Sequence, residues 1–207
     1  MENESITDLR VIKTRQAIKK SFLDLLRQKS FSTITIKDIA NHAMIGRGTF
    51  YLHYEDKYQL LDHLIDTELK KFSDIIQPKA YIHNDIVDDQ TLLHYAQKAF
   101  VHLKEHDSFF QSMFLRDDIP AFRTKLQQHF LQKFNKEFKD LHITERIDEL
   151  DREILLIFIS SAVIGLIEWW VKNGTIQTPE QMAKKLQTLL TKGPIHTLGL
   201  HIQNKTT

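Results

Sequence analysis

Apolar residues recur along this chain at the three- and four-residue spacing of amphipathic helices, and no window sustains strand alternation between hairpin turns. After Leu9, the positions Ile12, Ala17, Ile18, Phe22, Leu25 and Leu26 share one face and predict a first helix ending near Lys29 and Ser30. A second stripe, Tyr58, Leu61, Leu64, Ile65, Leu69 and Phe72, opens at Asp56 and Gln59, spaced as a capping box, and is stopped by Pro78. Residues 79–90 are polar and loop-like. Helical patterns return at about 90–105, 108–115, 118–141, 147–172 and 178–191. Pro120 falls in the first turn after Asp118, and Thr178-Pro179-Glu180-Gln181 combines a capping box with proline at the first helical position. The expected fold class is all-α.

Between the first two long stripes, residues 35–54, TIKDIANHAMIGRGTFYLHY, read as two short helices with a tight break. Thr35 is placed to cap the first, Asp38 puts negative charge in its first turn, and Ile36, Ile39, Ala40 and Ala43 form its buried face. Gly46 and Gly48 break the pattern and open a helix through Thr49, Phe50, Tyr51, Leu52 and His53. Such a pair is the helix-turn-helix that lays its second helix in the DNA major groove.

Here the chain resembles the DNA-binding domain of the TetR family of bacterial transcriptional regulators, whose signature runs roughly T-x-x-x-I-A-x-x-A-G-V-S-x-G-T-F-Y-x-H-F-x-x-K. Thr35, Ile39, Ala40, Ala43, Ile45, Gly48, Thr49, Phe50, Tyr51, His53, Tyr54 and Lys57 hold equivalent or similar positions. Met44 stands where the signature has its turn glycine, which predicts a strained turn; Gly46 replaces the hydroxyl cap and removes a side-chain phosphate contact there. Further on, GLIEWWVKNG and TPEQMAKKLQTLL are similar to the C-terminal helices of a subgroup common in Gram-positive bacteria.

The resemblance implies a three-helix DNA-binding domain over 1–57 and a larger helical ligand-binding and dimerisation domain over 58–207. It places Arg47, Gly48 and Thr49 over the groove floor, Tyr51, His53 and Lys57 on the phosphate backbone, Leu52 against sugar or methyl groups, and Thr35 and Lys37 as further phosphate contacts. Phe50 and Tyr54 are assigned to the core. One recognition helix buries too little surface to select a site, so a homodimer on a palindromic operator is implied. Its interface is expected from Ile157, Ser161, Ile164, Gly165 and Glu168 with Met182, Leu186 and Leu189. A small-molecule inducer pocket is implied among the middle aromatics: Tyr95, Phe110, Met113, Phe114, Phe134 and Phe158, with His94, His102 and Glu168 as polar candidates. The implied function is a repressor released by its inducer, with a co-activator as the alternative.

Composition bears on these expectations in three ways. The net charge is only +1, yet from Arg10 to Leu60 ten cations face four acids, so positive charge gathers at the reading head. There is no cysteine, which fits a reducing cytoplasm and excludes thiolate metal sites. The first eight residues are polar and acidic, unlike a signal peptide. The run 154–171 is apolar and would span roughly 27 Å as a helix at about 1.5 Å per residue. Ser160, Ser161, Gly165 and Glu168 interrupt it, so a core or interface helix is expected rather than a membrane span.

Rival functions leave weaker traces. No phosphate-cradling glycine loop, H-E-x-x-H or recognisable catalytic pair is present, so no catalytic residue, cofactor or metal is assigned. Clusters such as His83, Asp85, Asp88, Asp89 and His94 could serve a metal-dependent enzyme, yet they lie across a loop without a defined ligand spacing. A purely structural helical module leaves the basic face and Arg47 to Lys57 without a purpose.

Overall fold

The computed structural model describes residues 2–84, 86–116, 118–119, 122–145 and 147–200. Among them the chain forms helices α1 (Glu2–Gln28), α2 (Ile36–His42), α3 (Arg47–Tyr51), α4 (Lys57–Ile75), α5 (Asp89–Glu105), α6 (Asp107–Phe114), α7 (Phe122–Asp140), α8 (Glu149–Lys172) and α9 (Pro179–Thr197). Two compact units contain them: residues 1–69 with 108–122, and residues 70–107 with 123–207. The boundary expected after Lys57 therefore marks the start of α4, whereas the units part twelve residues further along the same helix.

The first unit closes around Ile18, Phe22 and Leu26 of α1, Ile34, Ile39 of α2, Phe50 of α3, and Leu60 and Ile65 of α4, all with almost no exposed surface. Segment 108–122 belongs to this unit, and its buried aromatic rings pack on one another: Phe110 lies edge-on to Phe109 at 5.1 Å and Phe114 edge-on to Phe122 at 5.0 Å. The 3-10 turn Phe31–Thr33 joins α1 to α2. Asp118 accepts from the Ser30 hydroxyl and the Ser32 amide, so it sits in a turn and does not open a helix as its position suggested. Pro120 lies outside the described residues.

The second unit buries Phe72, Phe100, Leu103, Phe130, Leu156, Ile164, Ile167, Trp170, Met182 and Ala183. Its helices start on side-chain caps: Asp88 accepts from the Thr91 amide, Asp148 from Asp151, and Thr178 closes a capping box with Gln181 ahead of Pro179. Trp170 is fixed by its indole donating to the Gln177 carbonyl at 3.0 Å and by Phe100 standing edge-on at 5.2 Å. Gln187 of α9 donates to the Asp89 carbonyl at the start of α5.

The segment 79–90 and the end of α9 depart from the sequence pattern. Residues 79–90 hold a hairpin, β1 (Ile82–His83) and β2 (Ile86–Val87), paired antiparallel with Ile82 opposite Val87. Two residues per strand give no alternation to detect. Asn84 takes the left-handed φ of 49° that the turn needs, and Asp85 is outside the described residues. Helix α9 continues past Thr191 to Thr197 through a kink where Gly193 leaves helical geometry before Pro194. Among the described residues one helix, α8, is long and apolar enough to cross a membrane by length and composition alone.

Candidate nucleic-acid interface and regulatory cavity

The turn between α2 and α3 is a complete helix-terminating motif. The Ile45 amide donates to the Ala40 carbonyl at 2.9 Å and the Met44 amide to Asn41 at 3.1 Å, the paired bonds that close a Schellman turn. Its left-handed position is filled by Met44 at φ 55°, with the side chain 92% exposed. The expected strain is thus accepted and the turn keeps its shape. Gly46 caps α3 with no side-chain bond, as its lack of a side chain requires.

From this turn α3 presents Arg47, Gly48, Tyr51 and Leu52 to solvent, with Thr49 half-buried at their edge and Phe50 fully inside. Leu52 is 81% exposed and Tyr51 is 55% exposed. Large apolar surface left outside a well-packed head is available to a partner. Lys37 projects from α2, and Arg10, Lys13, Arg15 and Lys20 stand exposed along α1. His53 is half-buried; burial, then the charge of Arg15, lowers its pKa below the ordinary imidazole value. His63 is lowered in the same way by burial and by Lys19 and Arg15, and its Nδ1 lies 3.2 Å from the Tyr54 hydroxyl.

Two expected phosphate ligands are committed elsewhere. The Lys57 ammonium donates to the carbonyls of Phe31 at 2.8 Å, Ser32 at 3.0 Å and Ile34 at 2.8 Å, and lies 4.7 Å from the Phe31 ring centroid. An ammonium has three donors, and in the chain by itself all three are taken. Lys57 clamps the start of α4 to the turn after α1. Thr35 gives its hydroxyl proton to Asp38 and accepts the Asp38 amide, so it is a helix cap and not a phosphate donor. Asp38 is held far below the ordinary carboxylate range, first by Lys29 at 2.7 Å, then by the Thr35 amide and hydroxyl.

Residues 23–64 match the sequence profile of bacterial regulatory proteins of the tetR family, and residues 90–192 match that of a transcriptional regulator C-terminal region of the same family. This chain belongs to the TetR family. It is 28% identical over 196 residues, 91% of its own length and 47% of the other's, to the HTH-type transcriptional regulator YxbF of Bacillus subtilis. It is 23% identical over 179 residues to a probable acrEF/envCD operon repressor of Escherichia coli, covering 81% of this chain and 80% of that one. A TetR transcriptional regulator of Streptococcus agalactiae superposes with a TM-score of 0.62 at 25% identity, covering 90% and 98% of the two chains. The chain spans about half the length of several of the curated relatives it matches. The family consists of DNA-binding regulators, not enzymes.

In this TetR-family chain the second unit holds a cavity of about 250 Å³. Phe72 near the end of α4, Ile76 just beyond it, Tyr81, Ile82 and Val87 of the hairpin region, and Tyr95, Ala96, Ala99, Phe100 and Leu103 of α5 line it with residues of α7, α8 and α9. Of the expected pocket residues, Tyr95 and Phe134 are on its wall. Phe110, Met113 and Phe114 are buried in the first unit, and Phe158 is 61% exposed on α8. Sequence reading missed Phe130 and Phe138, although 130, 134 and 138 recur every four residues on α7 and mark one face. Of the polar candidates, His94 is exposed, His102 is stacked on Phe72, and Glu168 is held by Arg123 at 2.7 Å and Lys172 at 2.8 Å.

The expected interface residues also divide. Ile164 and Met182 have at most 1% of their surface exposed and belong to the chain's own core. Leu186 lines the cavity. Ile157, Ser161 and Leu189 are exposed and Gly165 is partly so. Leu150, Ile154, Phe158 and Trp169, each about half exposed or more, extend Ile157 and Ser161 into one apolar stripe along α8. Their spacing of three and four was legible, but the surrounding helix is apolar on every side and hid which face was outward.

Proposed function

We propose that this protein represses transcription as a cytoplasmic homodimer bound to a palindromic operator, and that a small molecule in the second unit's cavity releases it. The observation that carries this is the pairing of an outward-facing Arg47–Leu52 surface on a closed helix-turn-helix with an apolar cavity in the second unit. Arg47 suits a bidentate bond to guanine, Gly48 close backbone approach, Thr49 a thymine methyl or base edge, and Tyr51, Lys37 and His53 the phosphates. The Escherichia coli relative is named a repressor, which favours that sign of regulation. The α8 stripe is assigned to a second copy rather than to lipid, since Ser161 and the ion-paired Glu168 lie along the same helix.

Release requires a lever. Helix α4 supplies one by chain continuity, because Lys57 at its start holds the Phe31–Ile34 carbonyls while Phe72 near its end lines the cavity. To convert a 99:1 preference for the DNA-competent state into its reverse, the ligand must prefer the other state by ~10⁴-fold. The test is salt-sensitive binding of purified protein to DNA upstream of its own gene, together with transcript levels in a deletion strain. Raised transcription supports repression. Lowered transcription identifies a co-activator, and no salt-sensitive binding to any upstream DNA overturns the regulator reading.

A further inference from the structure

Among the described residues, the walls of the second unit's cavity carry no ionisable acid or base other than two phenols. Tyr81 and Tyr95 supply the only side-chain hydroxyls; the rest are Phe, Ile, Leu, Val and Ala. Most of the wall is mid-helix, where backbone donors and acceptors are already spent on intrahelical bonds. Among the described lining residues a bound charge finds no counterion, and the helical stretches of wall offer it no free amide.

Glu137 and Lys98, beside the wall, do not change this. Glu137 precedes the wall residue Phe138, but it lies off the wall, accepts the Lys79 amide at 3.2 Å and pairs with Lys133 at 3.1 Å. Lys98 sits 5.1 Å from the Tyr95 ring centroid at an exposed position. Its positive charge opposes entry of another cation past that ring. The aromatic faces would attract a cation, yet Phe100 is edge-on to Trp170 and Phe130 is stacked on Phe134, and attraction to a ring face is smaller than the cost of stripping an ion's water. An anion meets the same cost and is repelled by those faces. The volume of about 250 Å³ holds roughly eight water-sized groups of ~30 Å³. Val87 and Leu190, both more than two-fifths exposed, mark an apolar mouth.

We propose that the cavity takes an uncharged, mostly apolar molecule the size of one or two fused rings or a short alkyl chain, with one group hydrogen-bonded to Tyr95 or Tyr81, and that it rejects amines and carboxylates of the same shape. This rests on the reading of the cavity as the effector site. The test is calorimetric titration of the full chain at neutral pH with two matched sets: 1-naphthol, 1-naphthylmethylammonium and 1-naphthoate, and 1-octanol, octylammonium and octanoate. In at least one set the alcohol is expected to bind about tenfold or more tightly than either ion, and Ala99→Trp, which fills the cavity, to abolish it. Val163→Phe is a second filling variant should the first not fold, and the wild-type ranking stands without either. An ammonium or carboxylate binding as well as its alcohol, and lost on filling, overturns the charge rule while leaving the effector site intact. Binding by none of the six, or binding indifferent to filling, overturns both.

Discussion

Lys57 shows how one side chain changes role between sequence and structure. Its place in the signature suggested a phosphate grip, but three carbonyls consume its donors. Lys57→Met is therefore expected to cost about 2–3 kcal/mol of stability in urea unfolding, with the salt slope of DNA binding unchanged where loss of a phosphate contact would lower it by about 1. Met44 occupies a left-handed position made for glycine, so Met44→Gly should raise stability by about 0.5–1 kcal/mol in the same assay. Asp38 gives a pH signature. The folded chain depresses its pKa, so its contribution is whole above the unfolded value near pH ~4 and is lost as pH falls below that. Asp38→Asn should melt below wild type at pH 7, with the gap closing on acidification through pH ~4.

At the level of elements, periodicity exposed nearly every helix because each must bury one stripe, and capping residues fixed several starts. Thr35 and Thr178 cap where their spacing to Asp38 and Gln181 said they would. The hairpin at 82–87 was not legible, since two-residue strands carry no pattern. Nor was the outward face of α8, where every side of the helix is apolar. If the α8 stripe is the proposed dimer interface, Phe158→Glu is expected to weaken dimerisation by roughly 3 kcal/mol or more by placing an unpaired charge in it. Monomer stability should change by less than about 0.5 kcal/mol, because the site is exposed in the single chain. Sedimentation against concentration and thermal melting separate these outcomes. On α3, Arg47→Ala should relax base preference at one operator position by about 1–3 kcal/mol, whereas Tyr51→Ala should weaken all sequences alike, as competition binding would show.

For the whole molecule, the sequence by itself determined a helical fold, a helix-turn-helix, and membership in a regulator family. Those follow from local rules: helical period, caps, and a motif whose residues lie within twenty positions of one another. Only the tertiary structure decided which aromatics line a cavity and which fill a core, that 108–122 belongs with the DNA-binding unit, and that Lys57 and Thr35 are spent on the chain itself. The physical reason is that burial is a property of neighbours. Phe110 and Phe134 look alike on a helical wheel, and what separates them is the set of distant side chains packed against each.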